Sequence, residues 1–158
     1  MPTGPAMFRV WDTFRARSSA VAAIRPFVDR SRLQTEIPDS LWLAPYFVGF
    51  LGTLITLMAA RAVGALDTDD LAAVQSKSWA VITGMNAAVI GNEICALSTA
   101  GEPHFTIGCR NACAVFEGLH AAEPDYALGE GERTAIASDL WAQHFDARVA
   151  EYLSANSA

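Results

Sequence analysis

Residues 41–60, LWLAPYFVGFLGTLITLMAA, run for twenty positions without a charge and are closed by Arg61. As a helix, such a run has about the length that crosses the roughly 30 Å hydrocarbon core of a bilayer, and it equally suits the central helix of a bundle whose other helices wrap it. The choice between span and core depends on what the rest of the chain offers as cover.

On the N-terminal side, Phe8, Trp11, Val21, Ile24 and Val28 recur near helical spacing among Arg9, Asp12, Arg17 and Ser18. This predicts an amphipathic helix over 7–25 after a frayed tail at 1–6. A basic, aromatic-bearing helix of this kind can lie in a membrane interface or pack as an arm on its own bundle, and the acidic C-terminal half favours the arm. Pro26 disfavours helix at Arg25 and removes a hydrogen bond, so a stop or kink is expected there, with only a short helical turn in 27–37. Pro38-Asp39-Ser40 reads as a helix start, in which Asp39 or Ser40 accepts from first-turn amides. The apolar helix then covers about 39–64, with Pro45 near its beginning, where a missing N–H costs little. Gly49 and Gly52 let another backbone come close and mark a docking face, with a sister chain as the expected extra cover.

Beyond Arg61, Thr68 is the expected cap of a helix over 69–98, with Asp69 and Asp70 at the positive end of its dipole. Counted at 100° per residue, its apolar stripe is Leu71, Ile82, Met85, Val89 and Ala96, and Glu93 falls within roughly 40° of the stripe's centre. Residues 98–101 break the pattern, and Glu102-Pro103 opens another helix. One face of that helix carries Phe105, Cys109, Ala112, Cys113, Phe116 and His120. A polar loop over 122–131 leads to a last helix, 132–154, with Trp141, Phe145, Val149 and Tyr152 on one side, and to a tail at 155–158. No stretch sustains a period of two. The expected fold is all-α, a bundle of four to five helices in one domain over 1–158 around a long hydrophobic central helix.

Charge bears on partners. Only 18% of residues are charged, against about 25% in ordinary soluble domains, so some apolar surface needs cover from another copy, a partner or lipid. A net charge of −6 argues against nucleic acid. Residues 1–40 hold six arginines against four acids, whereas 101–158 hold nine acids against three arginines. The N-terminal segment is therefore suited to meet a C-terminal face of its own or a sister chain. Three cysteines, Cys95, Cys109 and Cys113, an odd number, fit a reducing, cytoplasmic setting better than a disulfide scaffold.

Three constellations carry chemistry in principle. Glu117 and His120 form an E-x-x-H pair that, with Glu93, supplies half the ligand set of a carboxylate-bridged metal pair in a bundle. Cys109 and Cys113 lie one turn apart on the His120 face, a soft donor set for zinc or copper(I) with Cys95 in reserve. Buried cysteines acting as small hydrophobes account for the pair equally well. Asn92-Glu93 on an apolar helix is a candidate buried polar centre, with Arg61 or Arg110 as partner, and a structural ion pair is its plainest reading. His104 and His144 lie near helix edges without obvious companions. No metal site, cofactor motif, nucleophile elbow or phosphate loop stands out. The expectation is a soluble interaction or small-ligand-binding module acting as a homodimer. The alternatives are an inner-membrane hairpin of 41–60 with 79–98, and a metal- or thiol-dependent enzyme.

Overall fold

The computed structural model describes residues 5–120 and 129–157, so the loop expected at 122–131 and the tail at 1–6 lie largely outside the described residues. Within them the chain is all-α. Helix α1 spans Pro5–Gln34 and passes straight through Pro26, so the break expected at Arg25 is not there. Pro26 and Ala22, whose carbonyl loses its partner, are both exposed, so the missing bond lies on the solvent side of the helix. On the opposite side Ala16, Ala20, Ile24, Val28 and Ser31 form one buried stripe across the proline. Burial of that stripe outweighs the local cost.

The apolar run is split. A single turn, α2 (Asp39–Trp42), precedes the long helix α3 (Pro45–Val63), which begins later than the 39–64 reading placed it. The residue before a proline avoids the helical region, and Ala44 is extended with ψ 138°. Pro45 then takes the first helical position, and neither Asp39 nor Ser40 caps by side chain, since Pro38 holds the N-cap of α2.

The helix expected over 69–98 is two helices, α4 (Thr68–Thr83) and α5 (Ala87–Ala100), bent by 118° at their junction. Gly84 adopts a left-handed φ of 80° that ends α4, and the Asn86 side chain accepts from Ala88 N–H to start α5. Arg32 fixes the corner from α1, donating to the carbonyls of Ile82 at 3.0 Å and Thr83 at 2.7 Å. At the other end of α4 the cap is Asp67, one residue before the expected Thr68, and it accepts from Asp70 N–H at 2.9 Å. The segment 79–98 is thus not one straight helix. Among the described residues one helix, Pro45–Val63, is long and apolar enough to cross a membrane by itself, and 61% of its apolar window is buried inside the protein.

Helix α6 (Pro103–His120) is opened by the Glu102 side chain, which accepts from Phe105 N–H. It lies along α3, and a glycine on each helix brings the two backbones close. A Cβ on Gly49 would stand 2.2 Å from the Phe105 carbonyl oxygen, and one on Gly108 would stand 2.1 Å from that of Tyr46. Only glycine on both helices allows two backbones to touch in this way.

The C-terminal helix comprises α7 (Glu130–Trp141), a π turn (Ala142–Asp146) and α8 (Ala147–Ala155). It delivers Trp141 and Phe145 into an aromatic core with Trp42, Phe47 and Phe50, the Trp141 and Phe145 rings stacked at 4.5 Å. Burying each of these large rings contributes on the order of 2–3 kcal/mol.

Candidate functional site

The first half of α1 places its apolar side chains outward. Met7, Phe8, Val10, Trp11 and Phe14 are 70, 72, 71, 60 and 51% exposed, whereas from Ala16 onward the buried stripe holds the helix to the bundle. Met7, Val10, Trp11 and Phe14 follow i, i+3, i+4, i+7 spacing, so they share one face, and Arg15 and Arg17 flank it. Five of the nine large hydrophobics exposed in the described residues lie in this eight-residue stretch. Such a concentration marks an interaction surface, whereas scattered exposed hydrophobics do not.

Between this half of α1 and the facing side of α4 lies an open groove of about 540 Å³. Val10, Phe14, Ala73 and Val74 supply its apolar lining, and Arg9, Arg17, Lys77 and Asp70 its charges. Arg9 is committed at one end: its guanidinium donates to Asp70 at 3.0 and 3.1 Å and to Asp67. The bond to Asp70 and the nearby charge of Asp67 raise its pKa. The Asp67 carboxyl is in turn held below the ordinary range, first by the Asp70 N–H it accepts from as the cap and then by Arg9. Arg17 stands 5.8 Å over the Phe14 ring. Neither Arg17 nor Lys77 forms an ion pair among the described residues, and the groove is cationic at that end.

The residues singled out in the sequence are not drawn into one site. Glu93 is half-buried on α5 and makes no hydrogen bond or ion pair with the described residues, and its neighbour Asn92 is exposed. The bend at Gly84 breaks the phase count that aimed Glu93 at the core. Cys109 is half-buried, Cys95, Cys113 and Glu117 are exposed, and all three thiols are free. No group of three or more His, Cys, Asp or Glu side chains able to hold a metal ion occurs among the described residues. His120, at the end of α6, packs edge-on to Phe116 at 4.5 Å, with its Nε2 buried and without a hydrogen bond among the described residues. Burial, followed by the charge of Arg61, lowers its pKa. Gly49 lies against the backbone of α6 and Gly52 against the Ile94 side chain, so both faces are already covered within the chain.

A smaller cavity of about 130 Å³ opens beside Gly52 and includes Thr53, Thr56 and Gln75, the last donating to Thr56 at 2.8 Å. Glu93 and His120 line neither this cavity nor the groove.

Two buried polar clusters were not foreseen. Trp141 Nε1 donates to the Ser31 hydroxyl at 3.0 Å, and that hydroxyl donates to Asp146 at 2.5 Å. The Tyr46 hydroxyl donates to the His144 carbonyl at 2.6 Å and accepts from Asn111 at 3.0 Å, and burial pushes its pKa up. Arg148 lies 5.0 Å over the Tyr46 ring. Both clusters tie the π turn to another helix, which suits a structural role. Ser31 was legible in principle, since it continues the Ile24 and Val28 stripe once the helix runs through Pro26. No family model, curated protein or solved structure matches the chain.

Proposed function

We propose that the chain is an interaction module that works as a homo-oligomer, docking through the N-terminal half of α1. The observation that carries this reading is the apolar face Met7, Val10, Trp11 and Phe14, exposed beside an open groove on a chain short of charge. Aromatic side chains with arginine beside them are the residue types that anchor protein interfaces, because they bury large area at low entropic cost. Homo-oligomers are the commonest soluble assemblies, and a two-fold pairing makes each docking contact twice.

Light scattering coupled to size exclusion on the purified chain tests the reading. A mass of twice the monomer is expected for the native sequence, and Trp11→Glu with Phe14→Glu is expected to yield the monomer with its circular dichroism unchanged. A native chain that stays monomeric at all concentrations overturns the reading, as does a double variant that dimerises like the native chain.

A further inference from the structure

The groove between α1 and α4 has a chemical counterpart on the same chain, at the other end of the sequence. On α7, Glu132, Ile136 and Asp139 stand at i, i+4 and i+7 and form one exposed stripe, acid, apolar, acid. Neither carboxylate is in an ion pair among the described residues, and Ile136 is one of the few exposed large hydrophobics outside α1. The groove presents the inverse pattern, with Val10 and Phe14 as exposed apolar lining over the buried Val74, and Arg17 and Lys77 as cations without an ion pair among the described residues. Glu132 and Asp139 are seven residues apart, about 10.5 Å along a helix, and Arg17 and Lys77 stand on the two helices that flank the groove.

The stripe does not seat in the groove of its own chain. Within one chain α7 meets the opposite end of α1, where Arg30 donates to Ser138 and Trp141 to Ser31. From Phe14 to Arg30 is sixteen residues, about 24 Å of helix, which is too far for α7 to reach the groove while holding those bonds.

We propose that the α1–α4 groove seats α7 of a second copy of this chain, with Ile136 on the apolar lining and Glu132 and Asp139 on Arg17 and Lys77. This rests on the self-association reading above and names the surface that completes it. A two-fold axis forms the contact twice, groove to α7 and α7 to groove, so the assembly closes as a dimer and no free groove remains to propagate a filament. Charge pairs at the edge of an apolar contact fix register and partner choice more than they add affinity.

Charge reversal in two halves tests it. Arg17→Glu with Lys77→Glu, and separately Glu132→Lys with Asp139→Lys, place like charges across both contacts, and each purified double variant is expected to dimerise more than about tenfold more weakly than the native chain. An equimolar mixture of the two faces acid with base at both contacts, and its dimer is expected to return. All four residues lie outside the buried core, so melting temperatures close to native check that each variant is folded. If the native chain dimerises and both double variants dimerise equally well, the α7 assignment falls while self-association stands. If neither variant dimerises and the mixture does not recover, the pairing also falls, because charge alone then acts without register. A native chain that is monomeric and floats with phosphatidylglycerol vesicles overturns both readings and assigns the cations to an anionic lipid surface.

Discussion

Two helix seams in this chain are built on opposite terms. Along α3 and α6, glycines at 49 and 108 bring the backbones together until no Cβ fits between them. Along the first half of α1 and α4, Arg9, Phe14, Arg17 and Lys77 line an open groove of about 540 Å³. The closed seam stabilises the bundle through dispersion and burial. The open one leaves apolar area in water, which is a stability cost that only an occupant removes. The difference lies in what lines each seam, glycine on both helices of the one and long charged side chains on both helices of the other.

The closed seam is the easier to break. Gly108→Ala puts a methyl group about where the Tyr46 carbonyl lies, and a loss of about 3 kcal/mol or more is expected from urea midpoints, because backbone cannot yield as a side chain does. Gly52→Ala is the matched control. Its Cβ would meet only Ile94 Cδ1 at 3.6 Å, an ordinary contact, so helix propensity should leave it neutral or up to about 1 kcal/mol more stable.

Next in size is the tie at the far end of α1. Ser31→Ala leaves the Trp141 N–H and the Asp146 carboxylate without their shared partner, and about 1–3 kcal/mol should be lost in the same titration. The variant also tests whether α1, released at this end, still holds the groove open at the other.

A smaller effect is expected at His120, at the end of the closed seam. Its folded pKa lies below the ordinary 6.5, so the unfolded chain binds more protons in the interval between the two values. The stability it contributes is therefore complete above 6.5 and is lost as pH falls through the lowered folded value. His144 shifts in the same direction, so the native melting temperature should fall on acidification below 6.5. His120→Gln should make that fall shallower, and an unchanged pH profile would show that this imidazole is hydrated in solution. The smallest effect on the monomer belongs to the open seam, where Trp11→Glu with Phe14→Glu should shift the melting temperature little while abolishing association.

The all-α class and the axial role of α3 were legible because an uncharged run of this length leaves few alternatives once amphipathic helices surround it. The errors sit where tertiary packing overrides a local rule. Pro26 looked like a stop because its cost is local, whereas the stripe from Ala16 to Ser31 that outweighs it is buried by other helices. Gly84 and Asn86 were overlooked inside an apolar pattern, although a glycine followed two residues later by a capping residue is a readable helix break. Gly108 carried no visible signal, since its importance exists only opposite Tyr46. For the candidate site, the aromatic, arginine-bearing helix expected over 7–25 contains the side chains of α1 that line the groove, while the Glu93, cysteine and His120 set drew on spacing that the fold does not assemble.

The π turn at Ala142–Asp146 keeps count for the whole C-terminal helix. Ala137, Trp141, Phe145 and Val149 are all buried at strict four-residue steps, and in a regular helix each such step drifts about 40° around the axis. A turn closed by i→i+5 bonds winds more slowly and takes up part of that drift between Trp141 and Val149. The chain thus leaves no room for a further residue there. Inserting one residue between Trp141 and Phe145 would rotate everything downstream by about 100°, taking Val149 out of the core, Arg148 off the Tyr46 ring and the Tyr152 hydroxyl away from Ser40.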